Sequence, residues 1–152
     1  MTTSISVFLA DDHAVVRDGL RLLLGIHDDI EVVGDAANGR EAVAKVAQMC
    51  PDIVILDIAM PELNGLEAAQ QIRDLCPSTQ VIILSMYSAS EHVFRALEAG
   101  AGGYLLKESA GTEVADAVRS VYNGRLYLSP TIADLVVDDY LQQQNRESRS
   151  PL

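Results

Sequence analysis

"DIVILDIAMPELNG", residues 52–65, sets four consecutive apolar residues before an aspartate and a loop punctuated by proline and glycine. A short unbroken apolar run reads as a strand covered on both faces, and such strands belong to parallel sheets flanked by helices. Asp57 closes the run, so its carboxylate stands where a buried strand gives way to a loop, and Pro61 shapes that loop. The pattern recurs along the chain. "ISVFLA" (5–10) runs into Asp11-Asp12, "QVIILS" (80–85) ends in Ser85, and "GGYLLK" (102–107) ends in Lys107. "EVVGDA" (31–36) is a weaker strand, nearer an edge.

Amphipathic segments separate these runs. Residues 14–26 carry Val15, Val16, Leu20, Leu23 and Leu24 at helical spacing, and 39–50, 65–75, 89–100 and 111–122 repeat the period. Ser90 offers a cap and Gly100 a terminator for the fourth helix. The alternation predicts an α/β domain over residues 1–125 with a five-stranded, doubly wound parallel sheet. An additional C-terminal helix is expected in the second segment, residues 126–152. It starts at Ser129-Pro130 and aligns Ile132, Leu135, Val136, Tyr140 and Leu141 on one stripe. That stripe suits either its own domain or a partner subunit. From Gln142 the chain turns polar, as a linker would.

Composition narrows the function. Of 152 residues, 22 are acidic and 11 basic, a formal charge of −11, so the field repels a phosphate backbone and speaks against nucleic-acid binding by these residues. Trp is absent and only Phe8 and Phe94 bring phenyl rings, so an aliphatic core is expected. Cys50 and Cys76 each precede a proline, lie far apart and have no paired histidine, which predicts free thiols in a reducing compartment. The opening "MTTSIS" lacks the features of a signal peptide, and no apolar run reaches membrane-spanning length. A cytoplasmic chain with no membrane partner is the expectation.

In a doubly wound sheet the working crevice lies beyond the carboxyl ends of the strands. Asp11, Asp12, Asp57, Ser85 and Lys107 should therefore converge. Three carboxylates at one point repel each other unless a cation intervenes, and Mg²⁺ suits a set of few carboxylates with exchangeable waters. Asp57, central and preceded by a wholly apolar strand, is the best nucleophile toward phosphorus; Lys107 neutralises phosphoryl charge and Ser85 offers a hydrogen bond.

The ordered set "DDH" (11–13), "LDIAMPELNG" (56–65), "LSMYS" (84–88) and "GAGGYLLKES" (100–109) resembles the receiver domain of two-component response regulators, in particular the NarL/FixJ branch with a LuxR-type helix-turn-helix output. The resemblance implies a flavodoxin-like fold in which Asp57 accepts a phosphoryl group from a sensor histidine kinase. It implies Mg²⁺ held by Asp12, Asp57 and the Ala59 carbonyl, with Asp11 acting mainly through water. Lys107 and Ser85 would contact the phosphoryl group, and Tyr104 would occupy the aromatic switch position. His13 is not implied as a ligand and belongs to the first turn of a helix; His27 and His92 read as surface histidines. Helix one would dock the kinase, with specificity in Val15, Val16, Gly19 and Leu20.

Ala59 and Tyr87 stand two residues beyond Asp57 and Ser85, positions that tune hydrolysis in such domains. Slow autodephosphorylation is expected, and no other enzymatic activity. Phosphorylation would promote a homodimer and control transcription. No helix-turn-helix is recognisable after residue 145, so DNA would be bound only through a C-terminal domain missing from these residues. The alternative is an interaction module of the same fold that works without phosphorylation.

Overall fold

The computed structural model describes residues 4–60 and 62–149, with residues 146–149 as backbone only; Pro61 lies outside the described residues. Strands β1 (Ile5–Ala10), β2 (Ile30–Ala36), β3 (Ile53–Asp57), β4 (Gln80–Ser85), β5 (Gly103–Leu106) and β6 (Tyr127–Leu128) alternate with helices α1 (Ala14–Gly25), α2 (Gly39–Met49), α3 (Gly65–Leu75), α4 (Ser90–Glu98), α5 (Ala110–Tyr122) and α6 (Pro130–Arg149). The sheet order is β2-β1-β3-β4-β5-β6, and every pairing is parallel. Chain direction across the sheet reverses after β2, which opens a crevice between the ends of β1 and β3.

The strands' two-residue period sorts their side chains onto two faces. Phe8, Val54, Leu56, Val81 and Ile83 join Val46 of α2, Ile72 of α3 and Val93 of α4. Val7, Leu9, Ile53, Ile55 and Ile82 join Leu24 of α1 and Val114 and Val118 of α5. Both layers are dominated by aliphatic side chains, as the composition predicts. Asn38 and Asn64 cap α2 and α3 by accepting the amides of Glu41 and Glu67 at 2.8 and 3.0 Å. Ser90 is instead the first residue of α4, behind Ala89. Gly100, at φ 97°, follows that helix as the expected terminator.

Three expectations need correction. Among the described residues the sheet has six strands, not five, because "YL" at 127–128 pairs with β5; a two-residue edge strand has no apolar run to announce it. The cysteines are joined in a Cys50–Cys76 disulfide, with Cα atoms 5.6 Å apart. They follow α2 and α3, neighbours on one face that lead into the adjacent strands β3 and β4, so sulfurs 26 residues apart in sequence meet. The third concerns the tail. Helix α6 runs through Gln142 to Arg149, where a linker was expected, and it packs on α4 of its own domain. Of the predicted stripe, Ile132 and Val136 reach the core, while Leu135, Tyr140 and Leu141 are exposed.

Candidate functional site

The ends of β1, β3, β4 and β5 meet as their order requires. Asp11 and Asp57 are each 1% exposed, and Ser85 is buried. The Lys107 ammonium reaches between the first two, 2.9 Å from Asp57 Oδ2 and 3.2 Å from Asp11 Oδ2. The Ala59 amide donates to Asp57 Oδ1 at 3.1 Å. Both oxygens of Asp57 are thus held, one by a charge and one by the backbone of the following loop. Asp11 Oδ2 is buried and, beside its ion pair with Lys107, has no hydrogen-bond partner among the described residues.

Burial is the main influence on Asp57 and raises its pKa; the Lys107 and Ala59 hydrogen bonds pull it down, and Asp11 pushes it up. For Lys107 burial works downward, yet the hydrogen bond and charge of Asp57, followed by Asp11, outweigh it and leave the pKa raised. Each group therefore favours the charged form of the other.

Donor atoms of Asp11, Asp12, His13 and Asp57 all lie within 4.8 Å of one another. This acidic cluster can bind a metal ion: it is rich in hard oxygen donors, and its buried Asp11 oxygen has unused acceptor capacity. The sequence set His13 aside, but its Nδ1 lies 3.2 Å from Asp11 and 3.1 Å from Asp12. The His13 amide also donates to Asp11 Oδ1 at 2.8 Å, an Asx-type turn that brings the ring back over the acids. Arg17, one turn into α1, donates to the Asp11 carbonyl. It was not singled out in the sequence, where its spacing from "DDH" was the one available signal.

Ser85 Oγ accepts the Tyr87 amide at 2.9 Å, and a hydroxyl that accepts one bond can still donate its proton. Beside it a recess of about 150 Å³ is lined by Ser85, Met86, Leu106, Lys107 and Glu108. Tyr104 is fully buried, and its hydroxyl donates to the Tyr87 carbonyl at 2.7 Å. Tyr87 itself is half exposed and stacks on His92 at a ring distance of 4.8 Å. Val15 and Leu22 of α1 and Ile26 just after it are exposed, whereas Leu20 faces the core, so Leu20 is unavailable to a docking partner.

Comparison with known proteins agrees with this geometry. The response regulator receiver domain family matches residues 7–119, and the chain belongs to it. The oxygen regulatory protein NreC of Staphylococcus carnosus (strain TM300) is 40% identical over 147 residues, 96% of this chain and 68% of that protein. The transcriptional regulatory protein YhcZ of Bacillus subtilis (strain 168) is 41% identical over 143 residues, 94% of this chain and 66% of that protein. The chain thus spans about two thirds of the length of these relatives. A two-component response regulator of the LuxR family from Aurantimonas sp. SI85-9A1 superposes with a TM-score of 0.87 at 33% identity, covering 91% of this chain and 99% of that one. A signal receiver domain assigned to response regulator NarL from Mycobacterium tuberculosis gives 0.77 at 33% identity, over 81% and 99%. The protein is a receiver domain of the NarL, NreC and LuxR type. No helix among the described residues is long and apolar enough to cross a membrane.

Proposed function

We propose that Asp57 accepts a phosphoryl group from a phosphohistidine of a sensor kinase, and that this phosphorylation switches an output outside these residues. The observation that carries the reading is the single ammonium of Lys107 between Asp57 and Asp11 at 2.9 and 3.2 Å. A carboxylate oxygen of Asp57 attacks phosphorus, the P–N bond breaks, and the leaving imidazole keeps the electron pair and takes up a proton. Lys107 then gives up its bond to the carboxylate and pairs with a phosphoryl oxygen, while the Ser85 hydroxyl donates to another. Asp12, Asp57 and the Ala59 carbonyl would hold Mg²⁺, with Asp11 acting through water. When bound, the ion offsets the negative charge gathering on the phosphoryl oxygens.

Ala59 has no side-chain group to orient a water, and Tyr87 follows Ser85 closely, its amide bonded to the serine Oγ. Both favour slow loss of the phosphoryl group. The exposed apolar residues Val15 and Leu22 of α1 and Ile26 just after it, together with half-buried Val16, suit docking of the kinase, a cytoplasmic encounter. A phosphorylated homodimer and a DNA-binding segment beyond these 152 residues complete the reading; a charge of −11 leaves DNA contacts to that segment.

The test is intact mass after incubation with acetyl phosphate and Mg²⁺. A gain of about 80 Da in the parent protein, absent in Asp57→Asn and without Mg²⁺, is expected. A folded protein with no such gain, even after rapid quenching, overturns the reading and leaves a module that signals by binding alone.

A further inference from the structure

Ser129 precedes α6, in the position where a serine usually caps the helix with its hydroxyl. Here the hydroxyl points into the sheet. It is 1% exposed, and its Oγ accepts the amide of Leu106 at 3.1 Å. Its own amide donates to the carbonyl of Tyr104 at 3.1 Å, and its carbonyl accepts Ala133, in the first turn of α6, at 2.9 Å. The residue thus holds β5 with two groups and α6 with the third.

The reason lies in the edge of the sheet. Pairing of β6 with β5 ends at Tyr104↔Leu128, and Pro130 has no amide and turns the chain into a helix. The Leu106 amide, one residue before Lys107, would otherwise be buried without a partner. An orphaned buried amide is destabilising, and the serine hydroxyl replaces the missing ladder carbonyl.

A continuous set of bonds follows. The Tyr87 amide donates to Ser85 Oγ and the Tyr104 hydroxyl to the Tyr87 carbonyl. Strand β5 is then joined to Ser129 by two bonds, the Ser129 amide to the Tyr104 carbonyl and the Leu106 amide to the Ser129 hydroxyl, the second being the one that Ser129→Ala removes. Ser129 then carries α6, whose Ile132 and Val136 pack into the same core cluster as Tyr104 and Val93 of α4. Ser85 stands beside the acceptor at one end of this set and the C-terminal helix stands at the other.

We propose that Ser129 is the positioning residue that couples the phosphoryl site to α6, so that occupation of Asp57 shifts the C-terminal helix against α4. The inference rests on the phosphoacceptor reading above. It assigns the signal a physical exit: the strand–helix junction at 128–130, with backbone and hydroxyl of one residue holding both elements.

The five tyrosines make the test direct, since Tyr87 and Tyr104 report on the switch and Tyr140 on α6. The whole chain is labelled with 3-fluorotyrosine, resonances are assigned by single Tyr→Phe changes, and ¹⁹F spectra are recorded with Mg²⁺ before and after adding beryllofluoride, a phosphoryl mimic. In the parent protein Tyr87, Tyr104 and Tyr140 should all shift. In Ser129→Ala the Tyr87 and Tyr104 shifts should persist while that of Tyr140 is lost, and Ser129→Thr should restore it. A purely structural role would lower thermal stability without separating the two ends. If Ser129→Ala does not fold, Tyr104→Phe cuts the same set one bond earlier and should likewise silence Tyr140. Persistence of the Tyr140 shift in the folded variant overturns the coupling, as does a parent protein in which Tyr104 responds and Tyr140 does not. A parent protein in which no tyrosine responds fails at the phosphoacceptor reading itself.

Discussion

Lys107 Nζ lies 2.9 Å from Asp57 Oδ2, and with Asp11 Oδ2 at 3.2 Å one ammonium serves two buried carboxylates. Removing it strands like charges in a site that excludes water. Lys107→Met should lower stability at neutral pH by about 2 kcal/mol, below the value for a fully buried pair because the lysine is partly exposed. Urea denaturation with and without Mg²⁺ checks this, and a divalent ion should narrow the gap. An unchanged midpoint would mean that water, not lysine, balances these acids.

Gly65 opens α3 directly behind the acceptor. A Cβ there would stand 2.5 Å from the Asp57 carbonyl oxygen and 2.7 Å from the Ile58 Cα. Backbone cannot yield as a flexible side chain does, so Gly65→Ala should cost about 2 kcal/mol. It should also slow phosphorylation by acetyl phosphate roughly tenfold through misplacement of Asp57. Gly19, inside α1 with nothing among the described residues within 4 Å of its Cβ position, is the contrasting case. Gly19→Ala should stabilise by about 0.5–1 kcal/mol. Equal effects at the two glycines would remove steric crowding as the explanation.

The Cys50–Cys76 bridge closes a 26-residue span. Loop-closure entropy for such a span gives about 3 kcal/mol of stabilisation. Protein purified under oxidising conditions should therefore lose about that much on treatment with dithiothreitol, and the Cys50→Ser, Cys76→Ser double variant should be indifferent to the reductant. A parent protein that is equally indifferent, with two titratable thiols, would contradict the bridge.

Arg119 of α5 grips Asp29 with two hydrogen bonds, 2.8 and 2.9 Å long, and tethers the turn before β2. Above all, the Arg119 hydrogen bond holds the Asp29 pKa down at about 2, against 3.8 for an unperturbed aspartate. A depressed carboxylate stabilises the fold above its unfolded pKa, and that contribution is lost as pH falls through the folded value. The stability difference between parent and Arg119→Met should therefore shrink from pH 4 to pH 2, as read by circular dichroism during acid titration. A gap that stays constant across this window would show the carboxylate to be unshifted.

Much of the site was readable before the structure because it depends on local rules. Apolar runs mark covered strands, and a parallel sheet carries the residue after each run to one edge. Asp11, Asp57, Ser85 and Lys107 were therefore expected together and are found together. Tyr104 was placed at the switch position by resemblance alone; its burial and its bond to the Tyr87 carbonyl depend on how the loop after β4 folds back.

The sequence by itself determined the strand–helix alternation, the crevice and the polar side chains at its rim, since each follows from periodicity and chain direction. Tertiary structure decided the rest. Only packing of α2 beside α3 brings Cys50 to Cys76, and only the rotation of α1 on the sheet turns Leu20 inward while Val15 stays in solvent. The sixth strand and the inward hydroxyl of Ser129 exist because β5 has a free edge with an amide to satisfy. Those are relations between segments distant in sequence, and no local pattern encodes them.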